Sequence, residues 1–279
     1  MALFDLKNGI TDAVVTIKNI AKIILPFYFL EFYSYAKNAK NEKNAKVIYD
    51  KNIKSYCPIC MKTTYFLPYG HPSRNKAQCP YCGSLERHRL LWLFFKVRTN
   101  LFEDTFKRIL HVAPEVCFEN RLKKRYAKNY ITADLHNPSA MVKMDVTNIP
   151  YPDENFDIII CNHVLEHVPD DKKAMSEFYR ILKKNGWAVL LVPLTDMGTT
   201  YEDFSIVTDD GRAKAFGQWD HVRKYGRDYI ERLKSAGFDV ISAKLDELVT
   251  TEEIERMCLK ERTESCDITN TEIFYCVKS

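Results

Sequence analysis

Residues 57–82 read CPICMKTTYFLPYGHPSRNKAQCPYC, two C-x-x-C pairs separated by eighteen residues. Each C-P-x-C sets two thiols on one tight turn, and two such turns supply four soft sulfurs. That is the closed donor set of a structural, tetrahedral Zn²⁺ site. A redox dithiol would need only one pair. Cys57, Cys60, Cys79 and Cys82 are therefore the expected zinc ligands. Cys117, Cys161, Cys258, Cys266 and Cys276 are scattered through apolar segments, where a thiol serves as a small core residue.

The elements that must position this chemistry follow from periodicity. Residues 4–37 form an amphipathic pattern, with Ile10, Val14, Ile17, Ala21, Ile24 and Tyr28 on one stripe and a break expected at Pro26. AKNAKNEKNAK (36–46) reads as a linker. Residues 83–97 make an apolar helix after the second cysteine pair, with Ser84 as N-cap and Arg87, His88 and Arg89 in its first turns. From residue 107 strands and helices alternate. Strands are expected at 108–114, 129–135, 141–146, 156–164, 187–194, 238–245 and 272–278. Helices are expected at 115–127, at 170–186 (ending at Gly186) and at 227–237, and 195–225 reads as a polar stretch. This βαβ spacing implies an α/β fold, a mostly parallel open sheet with helices on both faces. The expected division is an amphipathic helix and linker (1–56), a zinc-ribbon module with its helix (57–100) and a catalytic domain (101–279).

Open sheets of this kind bind ligands past the carboxyl ends of their strands. The strand ends here are Ala113–Glu115, Asp134, Asp145 and Asn162–His163. A carboxylate at the end of the second strand, Asp134, offers two acceptor oxygens to a ribose diol, and the same position can equally cap a helix.

The run MDVTNIPYPDENFDIIICNHVLEHVPD, then AMSEFYRILKKNGWAVLLVP, and later DHVRKYGRDYIERLKSAGFDV, resembles the class I S-adenosylmethionine-dependent methyltransferases of the type 11-like group. The resemblance extends over about 107–279. It implies a Rossmann-like sheet in the order 3-2-1-4-5-7-6 with the last strand antiparallel. It implies S-adenosylmethionine as cofactor, with Asp134 on the ribose, Asp145 and Val146 on the adenine, and Asn162 and His163 at the methionine end. The family's glycine-rich D-x-G-x-G is replaced by His111, Ala113, Glu115 and Cys117. Ala113 is small enough for a close approach, and Glu115 can supply the acid for the cofactor's ammonium. The expected site is a variant that is still occupied, and a decayed, non-catalytic scaffold is the alternative.

Methyl transfer by in-line displacement needs alignment, and a base only where the acceptor carries a proton. His221, His163 and His167 are the candidate bases, with Asp220 and Arg223 set to orient His221 or grip an anionic acceptor. Residues 1–100 hold 16 Lys and Arg against 6 Asp and Glu, which suggests an anionic partner for the front of the chain. Two acceptors fit. One is a small molecule or glycan, including a lipid-linked sugar of bacterial surface-polysaccharide synthesis, with residues 1–35 touching a membrane. The other is RNA, gripped by the basic zinc ribbon. No apolar run is long enough to span a bilayer and no signal-peptide cleavage site is present, so the expected location is the cytoplasm, with peripheral contact at the inner membrane face. The oligomeric state is left open.

Overall fold

A computed structural model describes residues 54–70, 73–260, 268–269 and 272–279. The helix expected over 4–37, the linker at 36–46 and Cys266 lie outside the described residues. The chain divides into two compact units, one of residues 1–49 with 136–139, the other of residues 50–135 with 140–279. In the first, the Ser139 N–H donates to the Asn137 side chain at 2.9 Å. The second contains all the chemistry described below.

The centre of this second unit is a seven-stranded sheet. Its strands are β1 (Ile109–Val112), β2 (Tyr130–Asp134), β3 (Val142–Lys143), β4 (Phe156–Asn162), β5 (Leu182–Leu191), β6 (Asp239–Lys244) and β7 (Glu272–Val277). They lie in the order β3-β2-β1-β4-β5-β7-β6. The pairs among β1 to β5 are parallel, and β7 runs antiparallel to both β5 and β6. The two central strands, β1 and β4, are largely apolar because both sheet faces are covered, with His111 and Asn162 as buried polar exceptions. Successive residues alternate between two cores. Ile109, Ile158, Ile160 and Val189 face one, whereas Leu110, Val112, Ile159 and Cys161 face the other.

The first core is filled by helices α1 (Glu86–Arg98) and α2 (Val116–Tyr126), through Leu91, Phe94, Phe95, Phe118 and Leu122. The second is filled by α3 (Asp171–Ile181) and α5 (Tyr229–Ser235), through Met175, Phe178 and Leu233; α4 (Asp209–Phe216) lies between these helices in sequence. Cys57, Ile59, Phe66 and Cys79 belong to the first core. Residues 57–100 and 101–279, expected as separate domains, therefore share one hydrophobic layer.

Arg89 ties them together. Its guanidinium is fully buried and donates to four backbone carbonyls, those of Ala77 (2.9 Å), Ser84 (2.8 Å), Met257 (2.8 Å) and Cys258 (2.6 Å). Arg121 of α2 adds a bond to the Ile59 carbonyl at 2.7 Å.

Several local expectations are corrected. Helix α3 ends at Ile181, not at Gly186, because Leu182 already pairs with Phe156 in the sheet. Glycine is required at 186 for a different reason: a Cβ there would lie 2.8 Å from the Lys183 carbonyl oxygen and 2.9 Å from that of Asp157. Ser84 does not cap α1. The N-cap is Leu85, whose N–H donates to His88 Nδ1 at 3.1 Å. The polar stretch contains α4, capped by the Thr208 hydroxyl and closed by Gly217 at φ 89°. A further helix, Thr251–Met257, starts with a Thr250/Glu253 capping box, a T-x-x-E signal legible in the sequence.

Replacing Arg89 by Leu removes the guanidinium from four buried carbonyls, of which that of Ser84 keeps the Cys79 N–H. Thermal unfolding of that variant should show a loss on the order of 3 kcal/mol, against a few tenths for the exposed Arg98→Ala. Equal Tm values for the two variants would refute the tying role.

Candidate active site

The carboxyl end of β1 turns sharply without glycine. Ala113 takes φ 48°, and its N–H donates to the Ala133 carbonyl at 2.8 Å, locking the turn to β2. A left-handed alanine costs roughly 1–2 kcal/mol, which the surrounding bonds must offset. Pro114 follows, and Glu115 is the N-cap residue of α2, its carbonyl accepting from the N–H groups of Phe118 and Glu119, both at 2.9 Å.

The Glu115 side chain points elsewhere. Oε2 lies 2.6 Å from His111 Nε2, and Oε1 accepts from Asn162 Nδ2 at 2.8 Å. A carboxylate can only accept, so the imidazole proton sits on Nε2. The other ring nitrogen, Nδ1, lies 2.7 Å from the Tyr130 hydroxyl. Burial acts to raise the Glu115 pKa, but the bond and charge of His111, the charge of His88 and the Asn162 amide outweigh it and hold it at about 2. His111, expected to touch the cofactor, is instead fully buried beneath Glu115 and positions it.

The remaining strand ends differ in how far they are already engaged. Asp134 ends β2, half-buried, and its carbonyl accepts from the Met144 N–H at 3.1 Å. Asp145 is exposed, and its Oδ1 accepts from both the N–H and the hydroxyl of Thr147 at 2.8 Å. Val146 is buried in the second core. Asn162 ends β4 at 5% exposure, and its Oδ1 has no hydrogen-bond partner among the described residues. His163 follows at φ 54°, its N–H bound to the Leu191 carbonyl at 2.8 Å.

Beyond β4 lies a cluster of histidines and acids. His163 Nδ1 is 3.5 Å from Glu166 Oε1, and Glu166 is 2% exposed with Oε2 unpartnered among the described residues. His167 Nδ1 is 3.3 Å from both the carbonyl oxygen and the Oδ2 of Asp220. His221 meets the His167 ring edge-on at 4.7 Å. Burial lowers the His221 pKa, and the nearby His167 adds to this against the pull of Glu166 and Asp220. In His167 burial also acts downward, but Asp220 and Glu166 prevail and raise it.

Arg223 was expected to orient His221 or hold an acceptor. It does neither, because it is buried and donates to the carbonyls of Leu165 (2.8 Å), Val168 and Pro169 (2.7 Å) and to Glu202 (3.0 Å), pinning the loop after β4. Asp220 orients His167 rather than His221. Glu166 carried no expected role, although the pattern H-x-x-E-H over 163–167 puts three metal-type ligands within five residues.

A narrow crevice opens beside His163, walled by Arg87 and Leu90 of α1, Leu191 and Glu272. Its volume of about 10 Å³ is enough for roughly one water molecule. Arg87 Nε and His88 Nε2 are buried there or nearby without partners among the described residues. Sequence reasoning could not decide whether Arg87, His88 and Arg89 face a ligand or the protein body. The structure divides them: Arg87 lines the crevice, while Arg89 is structural.

At the far side of α1 the four cysteines converge. Cys57 and Cys82 Sγ are 3.6 Å apart, as are Cys60 and Cys79. Ligand sulfurs on a tetrahedral ion with Zn–S bonds of about 2.3 Å stand roughly 3.8 Å apart, so the set fits a single metal ion. Each turn closes in the same way: the Met61 N–H donates to the Cys57 carbonyl at 2.8 Å, and the Gly83 N–H to the Cys79 carbonyl at 2.9 Å. The Ser84 hydroxyl lies 3.3 Å from both Cys57 and Cys82 Sγ.

The depressed Glu115 pKa has a consequence for stability. The unfolded carboxyl titrates near 4.5, so the Glu115 contribution is present above that pH and is lost as pH falls from about 4.5 to about 2. It amounts to roughly 3 kcal/mol. Glu115→Gln should therefore lower the neutral-pH denaturation midpoint and flatten the acid limb of the stability curve. An unchanged acid limb would contradict the His111–Glu115–Asn162 arrangement.

Comparison with known proteins bears on residues 99–190, which match the family model described as a methyltransferase domain. The chain is 41% identical over 44 residues to the uncharacterized methyltransferase YcgJ of Bacillus subtilis, covering 16% of this chain and 17% of that one. It is 37% identical over 68 residues to a demethylmenaquinone methyltransferase of Listeria monocytogenes, covering 24% and 28%. The chain thus spans less than a third of the length of either curated relative. The solved structure of YcgJ shares 15% identity and covers 68% of this chain and 96% of that one, with a TM-score of 0.41. The match over 99–190 and the seven-stranded sheet together support a class I methyltransferase fold for this part of the chain.

Proposed function

We propose that the protein transfers a methyl group from S-adenosylmethionine to an oxygen or nitrogen of a small polar acceptor, a small molecule or glycan. One observation carries this reading. Glu115 is a fixed, ionised carboxylate beside Asn162 Oδ1, which has no partner among the described residues, and both stand at the carboxyl ends of the two central parallel strands. Such strand ends are where open α/β sheets bind their ligands. An anion and a free acceptor there suit the ammonium of the cofactor's methionine. Asp134 would take the ribose hydroxyls, and Asp145 with the Val146 backbone the adenine. Ala113, with no side chain beyond Cβ, leaves room for close approach. The bound cofactor supplies a methyl group on a cationic sulfur, which departs as a neutral thioether.

The chain's own residues then align the acceptor and take its proton. His163 lines the crevice, and His221, whose pKa burial lowers, lies with His167 in the cluster beyond β4. Imidazoles and carboxylates around the acceptor position suit a protic O or N nucleophile. The curated relatives named as demethylmenaquinone methyltransferases favour a small-molecule acceptor in the same way. Cys57, Cys60, Cys79 and Cys82 would hold a structural Zn²⁺ that anchors the start of α1, and through it Arg87 at the crevice.

The narrowness of the crevice favours one alternative, a scaffold that does not bind the cofactor. Titration calorimetry with S-adenosylmethionine separates the two. The methyltransferase reading expects saturable binding, weakened roughly 10–100-fold by Asp134→Ala, since a charged hydrogen bond is worth about 1.5–3 kcal/mol. No heat in the parent protein would leave the scaffold. Transfer of labelled methyl to extracts fractionated into RNA, lipid-linked glycans and small molecules then identifies the acceptor class; label in RNA alone would overturn the small-molecule assignment. For the metal, Cys57→Ser should release the zinc held by the cysteines and lower the Tm, and a full equivalent retained there would refute the four-cysteine site.

A further inference from the structure

The cluster beyond β4 has the makings of a second metal site, separate from the four cysteines. A carboxylate oxygen of Glu166 and one ring nitrogen each of His167 and His221 lie within 4.8 Å of one another. Glu166 and His221 are buried, and Glu166 Oε2 has no hydrogen-bond partner among the described residues. A buried carboxylate oxygen without a donor is costly. A cation bound by it removes that cost.

We infer that Glu166, His167 and His221 bind a divalent first-row transition ion, of which Zn²⁺ is the test case. Two imidazoles and one carboxylate are the donor set of open zinc sites, which keep a further position for water or substrate. The second shell is present. Asp220 Oδ2 and the Asp220 carbonyl both face His167 Nδ1 at 3.3 Å, the carboxylate support that fixes a ligating imidazole. The loop carrying Glu166 and His167 is pinned by Arg223, and the Val222 N–H donates to the Glu166 carbonyl at 2.9 Å, so both halves of the site are held to each other. Ligand atoms on a tetrahedral ion stand about 3.4 Å apart, so the three need to close by about an ångström, which side-chain rotation supplies. His163, 3.5 Å from Glu166, borders the ion and faces the crevice. An acceptor hydroxyl or water in the open position would lose its proton more readily.

The inference does not depend on methyl transfer, and its test uses neither cofactor nor acceptor. Full-length protein is titrated with Zn²⁺ against a chromophoric chelator, and bound metal is counted per chain. The parent should hold one equivalent more than His167→Ala or His221→Ala, and Cys57→Ser should keep that extra equivalent. Asp220→Asn, a milder change at a half-exposed carboxylate, should weaken the extra site by about 10–100-fold with no change in the metal-free Tm. Equal metal content in the parent and all three cluster variants, or loss of the extra equivalent in Cys57→Ser alone, would overturn it.

Discussion

The candidate site is built on one arrangement, the Glu115 carboxylate held between the His111 imidazole and the Asn162 amide. Three elements meet in it: β1 supplies His111, the start of α2 supplies Glu115, and the end of β4 supplies Asn162. A turn made of glycines could bring its backbone close to a ligand with no side chain in the way. This turn reaches a comparable end with a left-handed alanine and an acid one helical turn beyond a buried histidine. The acid stays ionised despite burial because His111 and its neighbours more than offset desolvation. The strand end thereby keeps a permanent negative charge where a cationic ligand would need it.

A second constraint acts from the opposite side of the first core. The cysteine turns carry α1 directly after them, and α1 lies on the sheet face that also takes α2. Arg89 binds carbonyls of the cysteine segment and of the chain around Met257 and Cys258. The first turn of α1 is fixed from both ends; Arg87 lines the crevice beside His163, and His88 packs on Phe118.

The loop after β4 shows how a sequence pattern and a fold divide the work. Residues 163–167 bring two imidazoles and a carboxylate onto one turn, and the segment 220–223 adds His221, Asp220 and the guanidinium that clamps the turn from behind. Residues more than fifty positions apart in the chain thus form one cluster. The burial that lowers the His221 pKa and the acid that raises that of His167 both arise from this docking.

What the sequence determined by itself was what depends on local spacing. The cysteine quartet, the succession of strands and helices and the acids and amide at strand ends were all legible, because side-chain period and turn chemistry are encoded over a few residues. Contacts across the sheet were not. Ser84 reads as a helix cap, yet its hydroxyl serves the thiols; Gly186 reads as a helix stop, yet it is needed for close backbone approach; His111 reads as a ligand contact, yet it is buried under Glu115. Arg89 and Arg223 look alike on paper to any solvent-facing arginine, and only the packed fold shows each buried among carbonyls. In every such case the side chain's partner comes from a distant part of the chain. Tertiary packing alone decides which groups lose their water and which neighbours must replace it.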